Sequence, residues 1–271
     1  MVSDRSAPIG VFDSGIGGLT VVHELMRQLP HERIIYFGDT ARVPYGPKSP
    51  DTVRRYSHEI SEFLTSQDVK AIVIACNTAT AHALPMLQRE QSVPVIGVVE
   101  PGAKAGVAAS RGLEIGVIGT AGTIGSRAYE TAIRAIAPKA HIVAQACPLL
   151  VPLVEEGWLD TEATRLIARE YLLPLQAARI DTLVLGCTHY PLLKRLLAEI
   201  LGPDVVLIDS AQETASETAR VLAAGQLLAD RLAREKVTHR FIASDAPDHF
   251  LRMGQRFLGS AIECVETLTL G

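Results

Sequence analysis

The chain has 271 residues, 48% of them hydrophobic and 21% charged, with a net charge of −4. That is enough apolar material for one large core or two modest ones, while no apolar run approaches the roughly 20 residues that span a bilayer. The slight acidity, with no basic cluster and no aromatic–basic interleaving, argues against nucleic-acid and membrane partners, and the short polar start from Met1 to Pro8 has no signal-peptide core, so a soluble protein of the cell interior is expected.

Strand and helix patterns alternate along the chain, which predicts an α/β fold with mostly parallel sheets. The first strand, Ile9-Gly10-Val11-Phe12-Asp13, runs through Ser14-Gly15-Ile16-Gly17-Gly18 into a helix from Leu19 to Leu29, with Val22, Leu25, Met26 and Leu29 on one face. Those glycines permit close backbone approach to a ligand. They lack a P-loop lysine and a clean G-x-G-x-x-G, so a nucleotide site is a weak reading. A second strand at Ile34–Asp39 leads into a loop to Pro47 punctuated by Pro and Gly, a kind of segment that often carries function. Ser49-Pro50 opens a helix to about Ser66. The apolar run Ala71–Ala75 ends at Cys76-Asn77-Thr78, a helix follows to Arg89, and Val95–Glu100 supplies another strand. Pro101-Gly102 is expected as the crossover to the second half.

The second half repeats the order of the first. Ile115-Gly116-Val117-Ile118-Gly119-Thr120 matches Ile9 onward, His141–Ala146 matches Ile34 onward, Cys187 matches Cys76, and Val205–Ser210 matches Val95 onward, at offsets of 106, 107, 111 and 110 residues. Four pairs in register predict two similar, pseudo-symmetric α/β domains with the site in the cleft between them. Helices are expected at about 124–137, 161–178 and 190–201, and a mainly helical chain beyond Ser210. Phe250, Met253 and Phe257 form a helical packing stripe that should return to the first half. The expected division is therefore 1–98 plus 211–271, and 99–210.

Of four cysteines, none forms a C-x-x-C pair. Cys147 and Cys264 read as small core hydrophobes. Cys76 and Cys187 differ, because each ends a buried parallel strand at the edge where open α/β sheets bind ligands. Each also stands at a helix-starting segment, where the free N–H groups and helix dipole favour its thiolate. The adjoining Asn77-Thr78 and Thr188-His189 serve equally as helix caps or as a cradle for a carboxylate. Asp13 and Ser14 fall at the same sheet edge as Cys76. His189 is a structural donor or a proton relay, and Glu155-Glu156 reads as a solvated helix end. Zinc held by Cys76, Cys187 and His189 is the competing chemistry, but the tight ligand spacings of zinc sites are missing.

These segments resemble glutamate racemases, within the aspartate/glutamate racemase superfamily. The resemblance rests on Gly10–Gly18, Gly38-Asp39-Thr40-Ala41-Arg42-Val43-Pro44-Tyr45-Gly46, Ala75–Ala79, Val117–Thr120, Val151-Pro152-Leu153-Val154-Glu155 and Leu185–Pro191, spread over nearly the whole chain. It implies cofactor-independent interconversion of L- and D-glutamate, with no metal. By resemblance Cys76 takes the α-proton from D-glutamate and Cys187 from L-glutamate. Asp13 assists the first and His189 the second, and Glu155 and Asp39 lend support. Ser14, Tyr45, Gly46, Asn77, Thr78 and Thr188, together with Asp13, His189 and Thr120, would hold the substrate. The resemblance further implies a homodimer in the bacterial cytoplasm that supplies D-glutamate to peptidoglycan. Two alternatives remain open at this point, a racemase for aspartate or another amino acid and an idle amino-acid-binding protein.

Overall fold

The structure is a computed structural model in which residues 4–230, 237–258 and 261–270 are described. Residues 1–3, 231–236, 259–260 and 271, all within the expected first domain and the first three within the Met1–Pro8 stretch, lie outside the described residues.

The chain runs β1 Ile9–Asp13, α1 Leu19–Gln28, β2 Ile34–Gly38, α2 Pro50–Ser66, β3 Ala71–Ile74, α3 Asn77–Glu90 and β4 Val95–Gly97. After α4 Val99–Ala109 come β5 Glu114–Gly119, α5 Ala121–Gly125, α6 Ala128–Ile136, β6 His141–Ala146, α7 Leu150–Glu155, α8 Glu162–Ala177 and β7 Thr182–Gly186. A 3-10 turn at Tyr190–Leu193 leads to α9 Lys194–Leu201, β8 Val206–Asp209 and α10 Ser210–Ala224, and the chain closes with β9 Arg240–Ala243, α11 Pro247–Leu258 and β10 Glu266–Thr267.

Two parallel sheets form, in the orders β10-β9-β2-β1-β3-β4 and β6-β5-β7-β8. The segment β2-β1-β3-β4 has the same winding as β6-β5-β7-β8, so the duplication read from sequence is a duplication of topology. Strand pairing refines its offsets. Ile9 faces Ile34 while Ile115 faces Ile142, and Ile72 faces Val95 while Leu183 faces Leu207. The second and fourth pairs therefore sit one and two residues further along than the sequence match placed them. Winding of this kind reverses direction between β1 and β3, and between β5 and β7, which is where open sheets leave a crevice at their carboxyl ends.

Both faces of each sheet are covered, which is why the strands read as unbroken apolar runs. In the first sheet Ile9, Val11, Tyr36 and Val73 pack toward α1, α10 and α11, while Ile35, Phe37, Ile72 and Ile74 pack toward α2 and α3. Phe250 and Met253 of α11 are buried in that first core, with Phe257 packed at its edge, so the C-terminal stripe does return there.

Several expectations are corrected. Pro101-Gly102 does lie in the crossover, but as part of the first turn of α4, where a proline costs no helical hydrogen bond. Helix α4 itself makes the crossover, packing on α6 and β7 of the second half. The expected helix at 124–137 is broken into α5 and α6 by Arg127 at φ 59°. The region past Ser210 adds β9 and β10 to the edge of the first sheet, Phe37 facing Ile242. At four and two residues these strands are too short to give a periodic signal. Cys147 is buried as expected, but Cys264 is exposed on the final segment and is no core residue. Among the described residues no helix is long and apolar enough to cross a membrane.

Candidate active site

A cavity of about 340 Å³ lies between the two sheets, at both winding reversals. From the first half its wall begins with Asp13, the last residue of β1. The glycine turn that follows folds back on this carboxylate: Gly15 N and Gly18 N donate to Oδ2 at 3.2 and 2.9 Å, while Oδ1 is buried without a partner. Burial pushes the Asp13 carboxyl up, against the opposing pull of His189 and the Gly18 and Gly15 amides. Two of the glycines make room for the protein's own side chains. A Cβ at Gly18 would stand 2.6 Å from Asp13 Cβ, and one at Gly17 would stand 2.4 Å from the His189 ring.

Cys76 caps α3, its Sγ accepting from Ala79 N at 3.4 Å and lying 3.7 Å from Ser14 Oγ. The helix terminus expected from sequence is present, yet desolvation outweighs it. Burial, reinforced by the neighbouring Asp13 charge, pushes the Cys76 thiol up to about 12, so it is held as the protonated acid.

The second half presents Cys187, one residue past β7. No α-helix starts there: Tyr190 N closes a turn on Cys187 O at 3.1 Å, and Thr188 caps nothing. Polarisation comes instead from a side-chain relay. Cys187 Sγ is 3.8 Å from His189 Nδ1, and His189 Nε2 is 3.2 Å from Glu155 Oε1. Burial by itself would lower the His189 value, but the bonds to Cys187 and Glu155 and the charges of Cys187 and Asp13 prevail and hold it at about 10. Glu155, at the end of α7, is thus a partner of the imidazole and not the solvated helix end that its sequence context suggested.

Ser14, Tyr45, Gly46, Asn77, Thr78, Thr120 and Thr188 all line the same cavity. Thr78 Oγ1 and Thr120 Oγ1 are 2.8 Å apart across the halves, and Gly122 N donates to Gly46 O at 2.8 Å. Asn77 Nδ2 is buried with no hydrogen-bond partner. Asp39 does not reach the cavity. It is fully buried behind Tyr45, accepting the Tyr45 hydroxyl, Arg42 Nε at 2.7 Å and Ser244 Oγ at 3.0 Å. The zinc grouping of Cys76, Cys187 and His189 finds no support in the donor geometry: among the described residues no three or more His, Cys, Asp and Glu side chains are grouped to hold a metal ion.

Sequence reasoning missed the apolar wall made by Val43, Pro44, Pro148, Val151 and Pro152. Such residues look like ordinary core and loop material, and only the Pro/Gly punctuation of 38–47 hinted at part of it. The lining contains no lysine or arginine, so His189 is its one cationic candidate.

The Asp/Glu/Hydantoin racemase family matches this chain over residues 9–218. The chain belongs to that family. It is 55% identical to a glutamate racemase of Geobacter metallireducens, over 97% of this chain and 96% of that one. Its structure is similar to a glutamate racemase isoform from Bacillus anthracis, with a TM-score of 0.92 and 43% identity over 98% of both chains. It is also similar to the glutamate racemase of Francisella tularensis in complex with D-glutamate, with a TM-score of 0.90 and 39% identity over 98% of both chains.

Proposed function

We propose that this enzyme interconverts L- and D-glutamate by two-base transfer of the α-proton, without an organic cofactor. The observation that carries the reading is the placement of Cys76 and Cys187 after topologically equivalent strands, one from each half, on a single cavity. Racemisation needs a proton removed from one face of the α-carbon and another delivered to the opposite face. Two thiols related by the fold's pseudo-symmetry meet that need.

From L-glutamate, the Cys187 thiolate takes the α-proton and becomes a thiol. The electron pair is left on the α-carbon and delocalised into the adjacent carboxylate, and the Cys76 thiol then delivers its proton to the other face. The products are D-glutamate, a Cys76 thiolate and a Cys187 thiol, which is the starting form for the reverse reaction. Solvent exchange of the thiol protons resets the pair. His189, held cationic by its bonds to Cys187 and Glu155, stands beside Cys187, and Asp13 serves the Cys76 side. Burial of Cys76 suits it to wait as an acid.

Charge that develops on the substrate carboxylate has to be met by groups already oriented toward it. The lining supplies neutral donors from Ser14, Asn77, Thr78, Thr120 and Thr188, enclosed by the proline and valine wall that excludes water. Neutral donors suit a reaction in which negative charge moves over the substrate, because no lysine or arginine locks it at one end.

The two sheets with their helices are read as the two domains, and closure over the substrate as the step that aligns the thiols. The homodimer, the bacterial cytoplasm and the supply of D-glutamate to peptidoglycan complete the proposal. Turnover of L-glutamate against L-aspartate tests the substrate: strong preference for glutamate is expected, and preference for aspartate would overturn it. Sedimentation of the purified chain tests the dimer, with a monomer at micromolar concentration as the contrary result.

A further inference from the structure

Tyr129, from α6 in the second half, plays no part in the mechanism above, yet its hydroxyl donates to Asn77 Oδ1 at 2.7 Å in the first half. The phenol is fully buried, and burial of a tyrosine hydroxyl demands a partner. Here the partner is the side chain next to Cys76. With Oδ1 satisfied, the two protons on Nδ2 are unspent, and Nδ2 is buried and unpaired in a residue that lines the cavity. An amide in that state has its orientation decided by Tyr129 and its donors left for something in the cavity.

The other side of the tyrosine ring is equally constrained. A Cβ at Gly186, the residue before Cys187, would stand 2.9 Å from Tyr129 Cε2, and one at Gly102 would stand 3.2 Å from the hydroxyl. The ring therefore occupies a slot floored by two glycines, and Ser210 lies against the same hydroxyl. One rigid side chain packs on the neighbour of one cysteine and hydrogen-bonds the neighbour of the other.

We propose that Tyr129 is a positioning residue for racemisation, fixing the Asn77 amide across the cleft so that Nδ2 is presented to the substrate. Because the two residues belong to helices of different halves, the amide is set in this way only while the halves keep this arrangement. The inference rests on glutamate being the substrate of this cavity.

The test is a double-mutant cycle of Tyr129→Phe and Asn77→Ala, read as kcat and KM for L-glutamate with thermal unfolding of each variant. Phenylalanine keeps the ring in its glycine slot and removes only the hydroxyl. Tyr129→Phe is expected to lower kcat/KM by about tenfold, the value of one neutral hydrogen bond. The loss should be shared between KM and kcat, since the donor meets both the bound carboxylate and the charge that develops on it. In the Asn77→Ala background the same substitution should cost little further. A purely structural role would lower the unfolding temperature and subtract equally in both backgrounds, which overturns the inference, as does an unchanged KM. If the wild type turns over aspartate and leaves glutamate untouched, the substrate reading fails first and this inference falls with it.

Discussion

At the scale of single residues, the two thiols meet opposite surroundings. Cys76 is buried beside a carboxylate and held as an acid, whereas Cys187 sits beside an imidazole kept cationic by Glu155. Replacement of either cysteine by serine should lower racemisation by at least about 10²-fold, the usual span of a general acid or base being 10²–10⁴, with circular dichroism unchanged; retained turnover in either variant would contradict the two-base scheme. His189 also has a pH signature. Its folded value, about 10, is raised above the ordinary 6.5. Its contribution to stability is therefore fully present below about 6.5 and lost as pH rises through about 10. Removing its partner in Glu155→Gln should bring the His189 value down and move the alkaline limb of the kcat/KM profile to lower pH. An unmoved limb would mean that another group titrates there. Much of this site was legible in the sequence, since Cys76, Cys187, Asp13 and His189 stand at strand ends that the apolar runs mark. The raised pKa of Cys76 was not, because burial is a property of the assembled halves.

At the scale of elements, the turn between β1 and α1 separates packing from catalysis within two adjacent glycines. A methyl at Gly18 would press on Asp13 Cβ and, at 2.9 Å, on Ala75 Cβ, so Gly18→Ala should destabilise by about 1–3 kcal/mol in urea unfolding, as overpacking does. A methyl at Gly17 meets the His189 ring at 2.4 Å and Thr188 Oγ1 at 2.6 Å across the cleft. Gly17→Ala should therefore reduce kcat/KM at least about tenfold while the unfolding midpoint moves little; equal stability losses in the two variants would contradict this division. Elements with strong local signals were readable in advance. Ser49 caps α2 through Thr52 N, with Pro50 in the first turn, as the Ser-Pro pair predicted. Helix α4 was hidden because Pro101-Gly102 resembles a turn, β9 because its partner β2 lies some 200 residues away in sequence, and β10 because its two residues pair with β9 alone among the described strands.

At the scale of the whole molecule, one winding used twice places two equivalent strand ends face to face, and that relation was readable from nearly constant offsets. The exact register was not, since insertions between strands shift the match without changing the sheet. The halves are joined at the cavity by Thr78–Thr120, Gly46–Gly122 and Tyr129–Asn77, and by Thr20 Oγ1 donating to Thr188 O at 3.2 Å. The first half is complete only with its C-terminal return: ending the chain before Arg240 would unpair the β2 edge and strip Phe241, Phe250 and Met253 from the core, so soluble expression should be lost. The central claim, proton removal from one face and delivery to the other, is tested most directly by incubating the purified protein with L-glutamate in D2O while following optical rotation and the α-proton NMR signal together. The expected result is decay to a racemate with deuterium at the α-carbon. Folded protein that causes neither decay nor exchange would contradict the assignment, and exchange with full retention of rotation would contradict the second base.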